Sequence, residues 1–338
     1  MPYARETDRP SLDDVAARAG VSQSTASRVV TGRVKVSAAA RAAVLDAIRE
    51  LGYVPNLAAR MLVTPRPELV AVVVPHTAER LRSDPYFGEV LLGISNELTE
   101  RNLQLAFVPA DTLSSAGRLQ GYLMRHRLDG VILMDLAQPT LALLLDEARI
   151  PAVTLGRLLD DLPLPSVDVD NRAGAASAVR HLLERGRVVV GTITGRLTAV
   201  SAVERLAGYK DALRQADRPV RAELIVEGDY GEHLGYEGTR TLLGRVPDID
   251  GLFTGSDWAA AGALRALSES GRAVPDDVGV VGFDDIPLAS HTRPRLTTVR
   301  QPIEEIGRSL ARTLCAVLDG HAVDSVVLPT ELVVRQSS

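Results

Sequence analysis

The segment 23–30 carries hydrogen-bonding side chains on one side of a predicted helix and mostly apolar side chains on the other. Its outward positions offer amide, hydroxyl and guanidinium groups, at Gln23, Ser24, Ser27 and Arg28. A solvated helix face would normally carry Glu and Lys instead. Amide, hydroxyl and guanidinium groups are the ones that read base edges in a DNA groove. The inner positions, at helical spacing, are Thr25, Ala26, Val29 and Val30.

A second predicted helix precedes this segment after a very short connection. Ser11 has the side chain of an N-cap, apolar residues follow at helical spacing, and Gly20 is a predicted stop. Only Val21 separates that glycine from Ser22, the next N-cap candidate. Two helices joined so closely must cross steeply, as in a helix-turn-helix, which lays its second helix in a major groove. The alternative is a surface hairpin of a larger helical bundle.

The net charge of −5 conceals a division between the two parts of the chain. Residues 1–64 hold nine Lys and Arg against six Asp and Glu, whereas the remainder holds 29 against 37. A mildly positive N-terminal part (residues 1–64) followed by an acidic body (residues 65–338) favours phosphate contact by the N-terminal part alone. The body is not predicted to bind nucleic acid.

A third helix and a linker complete the N-terminal part. Ser37 is an N-cap candidate for a helix over 38–51 that Gly52 closes. We expect that helix to pack through Ala42, Val44, Leu45 and Ile48. Pro55 can start a further helix of about two turns, which would be marginal alone. These patterns predict a DNA-binding domain over 10–54 and a hinge helix with linker over 55–67.

From residue 68 to residue 338, β-branched apolar runs alternate with amphipathic helices. This βαβ succession predicts an α/β fold of parallel sheets with helices on both faces, and its length suggests two similar lobes. Ligands bind such folds beyond the carboxyl ends of the strands, in the cleft between lobes. The predicted strands are 69–74, 103–108, 130–134, 151–155, 188–194, 223–227, 251–255, 278–283 and 326–334. The predicted helices are 87–101, 114–127, 139–148, 172–186, 202–216, 232–244 and 257–271.

Composition excludes several classes of protein. The chain of 338 residues is 46% hydrophobic and has no apolar run of about 18 residues, so no membrane span is predicted. Its polar N-terminus lacks the apolar core of a signal peptide, which predicts a cytoplasmic protein rather than a periplasmic sugar-binding one. The six histidines are dispersed, and no Gly-rich phosphate loop follows a strand. An enzyme, a metal site and a cofactor are therefore not expected, and Cys315 is predicted to be a buried hydrophobe.

The order of these parts resembles the lactose-repressor (LacI/GalR) family of bacterial transcription regulators. The resemblance runs from about residue 11 to the C-terminus. It rests on segments 14–32, 53–62, 165–175, 204–209, 256–267, 274–287 and 296–302. It implies a periplasmic-binding-protein-like body, with a first lobe over about 68–167 and 300–321 and a second over about 168–299 and 322–338.

The resemblance also implies a homodimer on a pseudo-palindromic DNA operator, with one recognition helix in each half-site. Position by position, it assigns base contacts to Gln23, Ser24 and Arg28. Phosphate contacts fall on Ser11, Ser22, Thr25, Ser27 and Ser37. A minor-groove hinge falls on Asn56, Ala59 and Leu62. This sequence departs from the family at Thr31 and Ala40, where asparagine and threonine are usual, so a phosphate contact could be lost.

An effector pocket is implied as well. Its residues would be Tyr86, Phe87, Arg157, Ser201, Arg205, Tyr230, Ser256, Trp258 and Asp284. Four of the chain's twelve aromatic residues fall in this set, and a flat ring against a sugar face is a common recognition device. Gly156 replaces an aspartate that is frequent there and precedes Arg157, which makes a phosphorylated or acidic ligand more plausible. The connection over 76–87 is also longer than usual.

The expected function is therefore a transcriptional repressor, not an enzyme, that a small molecule controls allosterically. A ligand in the cleft would favour one angle between the lobes and so shift the population that binds DNA. The expected effector is a sugar or sugar derivative. The alternatives are a purine, nucleoside or phosphorylated corepressor and, outside regulation, a plain sugar-binding protein.

Overall fold

The computed structural model describes residues 10–30, 36–53, 68–74, 84–109, 121, 128–134, 140–158 and 164–338. These residues fall into two compact units, Met1–Pro67 and Glu68–Ser338. Within the described ranges, no helix is long and apolar enough to cross a membrane.

The described part of the first unit contains the helices α1 (Leu12–Ala19), α2 (Gln23–Val30) and α3 (Ala38–Leu51). Ser11 and Asp14 form a reciprocal capping box at the start of α1, and Gly20 ends α1 in the left-handed conformation. The Ser22 hydroxyl accepts the backbone N–H of Thr25 at 3.2 Å and so caps α2. The structure therefore confirms the predicted helix pair and its tight turn.

The core of this unit differs in part from the predicted one. Its buried members are Val15, Ala16, Ala26, Val44 and Ala47. Ile48 packs against them as expected, but Ala42 and Leu45 are exposed. One face of α3 reaches the other two helices, and a spacing of three to four residues from Val44 leads to Ala47 and Ile48 rather than to Leu45.

In the second unit, six strands form an all-parallel first sheet in the order β2-β1-β3-β4-β5-β11. They are β1 (Leu69–Val74), β2 (Gln104–Pro109), β3 (Gly130–Met134), β4 (Ala152–Leu155), β5 (Ser166–Val169) and β11 (Val326–Leu328). The helices are α4 (Pro85–Glu100), α5 (Thr140–Glu147) and α10 (Ile303–Leu318). Helices α4 and α10 contribute to the core cluster on one face of the sheet, and α5 to that on the other. We call this sheet with its helices the first lobe.

The second lobe repeats this arrangement with the strand order β7-β6-β8-β9-β10-β12. Its strands are β6 (Val190–Ile193), β7 (Ile225–Val226), β8 (Gly251–Thr254), β9 (Gly279–Asp284), β10 (Thr297–Arg300) and β12 (Glu331–Val333). Its helices are α6 (Asn171–Glu184), α7 (Val200–Gln215), α8 (Glu232–Arg245) and α9 (Asp257–Glu269). Neighbouring residues of β8 point to opposite faces, Leu252 toward α8 and α9 and Phe253 toward α6 and α7. Only the β10–β12 pair is antiparallel among these described strands.

Among the described elements, the chain passes between the lobes after β5, after β10 and after β11. The single strand predicted over 326–334 is therefore wrong, because β11 joins the first sheet and β12 the second. The segment 322–338 accordingly does not belong to the second lobe alone, and the first passage follows Val169 rather than residue 167. Strands β5 and β10 and helix α10 were not predicted. Of the predicted helix over 114–127, only Gly121 lies within the described residues.

Helices α6 and α7 approach each other very closely. A Cβ atom at Gly208 of α7 would lie 2.1 Å from the backbone oxygen of Arg172 in α6, so only glycine fits there. Arg172 also forms an ion pair with Asp211 of α7 at 2.6 Å. The two helices therefore pack as one unit, which supports the side chains of Asn171 on α6 and Arg205 on α7.

The hydroxyl of Tyr209 ties α7 to the sheet beneath it. Tyr209 is fully buried, and its hydroxyl donates to the backbone oxygen of Val190 at 2.8 Å. Burial raises the pKa of this phenol far above its ordinary value, so it remains a donor.

Tyr209→Phe should lower the free energy of unfolding of the second unit by about 1–3 kcal/mol, because the Val190 oxygen stays buried without its donor. The matched control is Tyr236→Phe, because the Tyr236 hydroxyl donates to Glu269 at the surface. Denaturant unfolding of both variants measures the difference. Equal stability of the two variants would contradict a stabilising role for the Tyr209–Val190 hydrogen bond.

Candidate functional site

The outward face of α2 presents the predicted base-reading residues to solvent. Gln23, Ser24 and Arg28 are exposed. At the N-terminus of α2 the Ser22 hydroxyl lies 3.0 Å from that of Ser24 and 2.8 Å from that of Thr25. This hydroxyl cluster lies where backbone N–H groups and the helix dipole favour an anion.

The remaining predicted phosphate contacts lie at other helix starts or partly inside α2. Ser11 and Ser37 are exposed and cap α1 and α3. Ser27 and Thr25 are half-buried. Ala40 donates its N–H to Ser37, which is a helix cap and not a substitute for the missing threonine hydroxyl. The hinge residues Asn56, Ala59 and Leu62, together with Thr31, lie outside the described residues.

In the second unit the predicted polar anchors meet beyond the carboxyl ends of the second-lobe strands. Arg205 of α7 is only 7% exposed. Its Nε donates to the Asn171 side-chain oxygen at 2.8 Å and its Nη1 to the Gly255 backbone oxygen at 2.5 Å. The guanidinium lies over the ring of Phe283, 3.7 Å from its centroid. Such a cation is held by hydrogen bonds and a π face at once.

Asp284 supplies the carboxylate near this cation. Its Oδ1 lies 3.7 Å from Arg205 Nη1 and accepts from Gln301 Nε2 at 2.6 Å. Asp284 ends β9 with φ 114°, a conformation that an L residue adopts only when its surroundings enforce it. The anchor pair is therefore positioned by α7 and by the end of β9.

Tyr230 forms a fixed wall of the same region. Its ring lies against Gly195, where a Cβ atom would come within 2.0 Å of a ring carbon. The phenol oxygen lies 2.9 Å from the Ser201 hydroxyl, and the Ser256 hydroxyl donates to the Tyr230 backbone oxygen at 2.6 Å. Ser256 also caps α9 by accepting from Ala259. The Ser201 and Ser256 hydroxyls thus hold Tyr230, and their contact with a ligand remains a prediction.

Asp257, the first residue of α9, fastens the loop beside Asp284. It is fully buried and accepts from the Ile286 backbone at 2.9 Å and from the Thr298 hydroxyl at 2.5 Å. Burial first, and the nearby charge of Asp284 second, raise the pKa of Asp257 well above its ordinary value. Ser256, and not Asp257, caps the N-terminus of α9.

The aromatic residues connect the two lobes. Tyr86 and Phe87, at the start of α4, pack edge to face with their centroids 5.5 Å apart. Phe87 is buried in the core cluster of the first lobe, and Trp258 and Ile286 of the second lobe belong to the same cluster. Tyr86 and Trp258 are half-buried.

Arg157 lies at the end of β4 in the first lobe. Its Nη2 is 3.4 Å from Glu204 of α7, and its Nε is 4.0 Å from Asp168. Two carboxylates therefore already face this guanidinium. That arrangement weakens the argument for an acidic ligand that its charge suggested.

Sequence reasoning missed several residues that build this region: Asp168, Asn171, Gly195, Glu204 and Gln301. Asp170, within the same segment, caps α6 by accepting the backbone N–H of Ala173. The role of Asn171 follows only from its contact with Arg205, which lies 34 positions along the chain, and that of Asp168 from its contact with Asn171. Nothing in the local pattern indicated that contact.

Known proteins resemble this chain over nearly its whole length. Residues 11–56 match the family "Bacterial regulatory proteins, lacI family", and residues 179–338 match a periplasmic binding protein-like domain. The HTH-type transcriptional regulator CelR of Thermobifida fusca is 42% identical over 97% of this chain and 98% of its own. The regulator AscG of Escherichia coli is 35% identical over 91% of each chain. The chain belongs to the lacI family.

Solved structures agree with this assignment. In a complex of transcriptional regulator CelR with cellobiose, the protein is 41% identical to this chain. The match covers 98% of this chain and 100% of the CelR chain, with a TM-score of 0.77. The lac repressor dimer bound to operator and an anti-inducer is 28% identical, covers 98% and 99%, and has a TM-score of 0.85. The predicted family and α/β fold class are confirmed. The chain is a DNA-binding transcriptional regulator, and its family excludes an enzyme.

Gly195→Ala should displace the Tyr230 ring and lower the free energy of unfolding by about 1–3 kcal/mol, because the added methyl occupies the position of the ring. In a Tyr230→Ala background the same change should cost much less. Thermal unfolding of the three variants measures this non-additivity. Gly244→Ala, where a Cβ meets nothing within 4 Å, is the control. Additive effects of the two substitutions would contradict the packing of the Tyr230 ring against Gly195.

Proposed function

We propose that this regulator is a homodimeric repressor that releases a pseudo-palindromic operator when a neutral sugar binds between the lobes of its body. The observation that carries this proposal is the Arg205–Asp284 pair, held by α7 and by the end of β9 beside Tyr230. A guanidinium and a carboxylate in such a position can each bond adjacent hydroxyl groups. The relative with cellobiose in its structure supports a sugar as the ligand.

The charges at the site favour a neutral ligand. Arg205 is balanced by Asp284, and Arg157 by Glu204 and Asp168. A phosphorylated ligand would bring negative charge to a region where both of these cations already have carboxylate partners. The half-buried rings of Tyr86 and Trp258 offer apolar surface for a sugar face. The proposed contact set keeps the nine residues named from the sequence.

The DNA-facing part of the proposal rests on α2. Exposed Gln23, Ser24 and Arg28 would read base edges, while the hydroxyl groups at the helix starts would hold phosphates. The lac repressor relative was solved as a dimer on its operator, which supports one recognition helix per half-site here. Such a protein would act in the cytoplasm, where its DNA lies.

The direct test uses the full chain and an operator selected from a library of randomised pseudo-palindromic duplexes. Fluorescence anisotropy at one fixed salt concentration measures operator binding with and without cellobiose, ribose, glucose 6-phosphate or cytidine. We expect a neutral sugar to weaken binding by a factor within about 5–150. A response only to the phosphate or the nucleoside would overturn the sugar assignment, and tighter binding would overturn release.

Arg28→Ala should lower discrimination at the base pair that Arg28 contacts by about 1–3 kcal/mol, the contribution of a paired guanidinium–guanine contact, and should leave the salt-sensitive phosphate contacts in place. Arg49→Ala removes an exposed cation from α3 and serves as the charge-matched control. Anisotropy with the selected operator and its single-base variants measures the difference. Unchanged discrimination would exclude Arg28 as a base reader.

Arg205→Ala should abolish the sugar response while operator binding persists, because the guanidinium anchors the ligand and lies in the second unit. Thermal unfolding with and without cellobiose reports ligand binding, since a bound ligand raises the stability of the folded state. Arg265→Ala, at the surface of α9, is the control. A retained sugar response would exclude Arg205 as the anchor.

A further inference from the structure

The first passage between the lobes is bordered by two buried polar side chains. Asp168 lies on β5 of the first lobe and is 6% exposed. Asn171 opens α6 of the second lobe and is 2% exposed. Buried polar groups are normally hydrogen-bonded, so the partners of these two side chains show which elements the passage between the lobes is bonded to.

The Asn171 carboxamide is bonded at both ends. Its Oδ1 accepts from Arg205 Nε at 2.8 Å. Its Nδ2 donates to Asp168 Oδ1 at 2.8 Å and to the Val169 oxygen at 3.2 Å. Turning the amide by 180° would set donor against donor at Arg205 and acceptor against acceptor at Asp168. The amide therefore has one permitted orientation.

Asp168 extends the connection into the first lobe. Its carboxylate accepts the backbone N–H of Val169 at 2.8 Å and that of Arg157 at 3.4 Å. The Arg157 side chain in turn reaches Glu204, the neighbour of Arg205 on α7. Contacts thus run from Arg205 through Asn171 and Asp168 to Arg157 and return to α7. We call these four residues the crossing relay.

The support behind the relay is rigid. Asn171 begins α6 and Arg205 lies on α7, and these helices are in direct backbone contact at Gly208. A shift of the Arg205 guanidinium toward a ligand cannot be absorbed by sliding α7 along α6. Such a shift would act first on the Arg205–Asn171 bond and, through the Asn171 amide, on Asp168.

We propose that Asn171 is the positioning residue that couples ligand binding at Arg205 to the orientation of the first lobe. This rests on the proposed function, since it assumes that Arg205 anchors the effector. The carboxamide presents an acceptor to Arg205 and a donor to Asp168 in the same plane. Asn171→Asp keeps the acceptor and replaces the donor by a charge facing Asp168, so it separates the two halves of the role.

The first experiment needs no ligand. Thermal unfolding of the full chain is measured for wild type, Asn171→Asp, Asp168→Asn and the double variant. The stability lost through Asn171→Asp should be smaller when Asp168→Asn has removed the facing charge. The double variant should therefore lose less stability than the sum of the two single variants. Asn102→Asp adds the same charge at an exposed turn of the first lobe and is the control. Additive losses would overturn the relay.

The second experiment separates binding from coupling, with cellobiose as the probe and the selected operator. Asn171→Asp should bind cellobiose within a few-fold of wild type, because the acceptor for Arg205 remains. The cellobiose-induced change in operator affinity should fall from the wild-type factor to within about twofold of none. A merely structural role would lower stability and leave that factor unchanged, and this result would overturn the proposal.

The two experiments keep separate failures apart. If wild type binds operator but responds to neither cellobiose nor ribose, the sugar assignment fails, and the ligand-free cycle still decides whether Asn171 and Asp168 are coupled. If wild type responds and Asn171→Asp retains the full response, the positioning role fails and the sugar assignment stands.

Discussion

A guanidinium cannot be buried without partners, and Arg205 is buried at the cleft end of the second lobe. Its partners come from different elements. Asn171 opens α6, Gly255 follows β8, and Phe283 and Asp284 end β9. Satisfying this one cation therefore fixes the relative positions of a helix start and two strand ends. The carboxylate of Asp257 continues the same arrangement by fastening the loop that follows Asp284.

This arrangement also limits what the region can bind. Because each cation has its carboxylate already, the region offers paired hydrogen-bonding groups without a large net charge. Tyr230 is fixed against Gly195 and by two serine hydroxyls, so its ring is rigid before any ligand arrives. A preorganised ring and a paired cation suit a ligand with many hydroxyls and a flat apolar face. The same groups lie beside a passage between lobes, so binding and lobe orientation share residues.

Much of this molecule could be predicted from sequence because much of it depends on local pattern. The capping residues Ser11 and Ser37 and the stop at Gly20 locate the helices of the first unit, and alternating apolar runs locate most strands. Arg205, Tyr230 and Asp284 were named through family resemblance, and the structure brings them together.

What failed depends on contacts that are distant in sequence. The segment 326–334 looks like one strand because both of its halves are apolar, yet each half pairs with a different sheet. Gly195 looks like any loop glycine until Tyr230 is placed against it. The two bonded ends of Asn171 become visible only when α7 brings Arg205 to it.

The most direct test of this account is a crystal structure of the full chain with cellobiose. The account predicts the sugar between the lobes, with Arg205 and Asp284 bonded to neighbouring hydroxyls, an aromatic ring against a sugar face, and the Arg205–Asn171 bond intact. A sugar bound elsewhere on the chain, or one in the cleft that leaves Arg205 without contact, would contradict it.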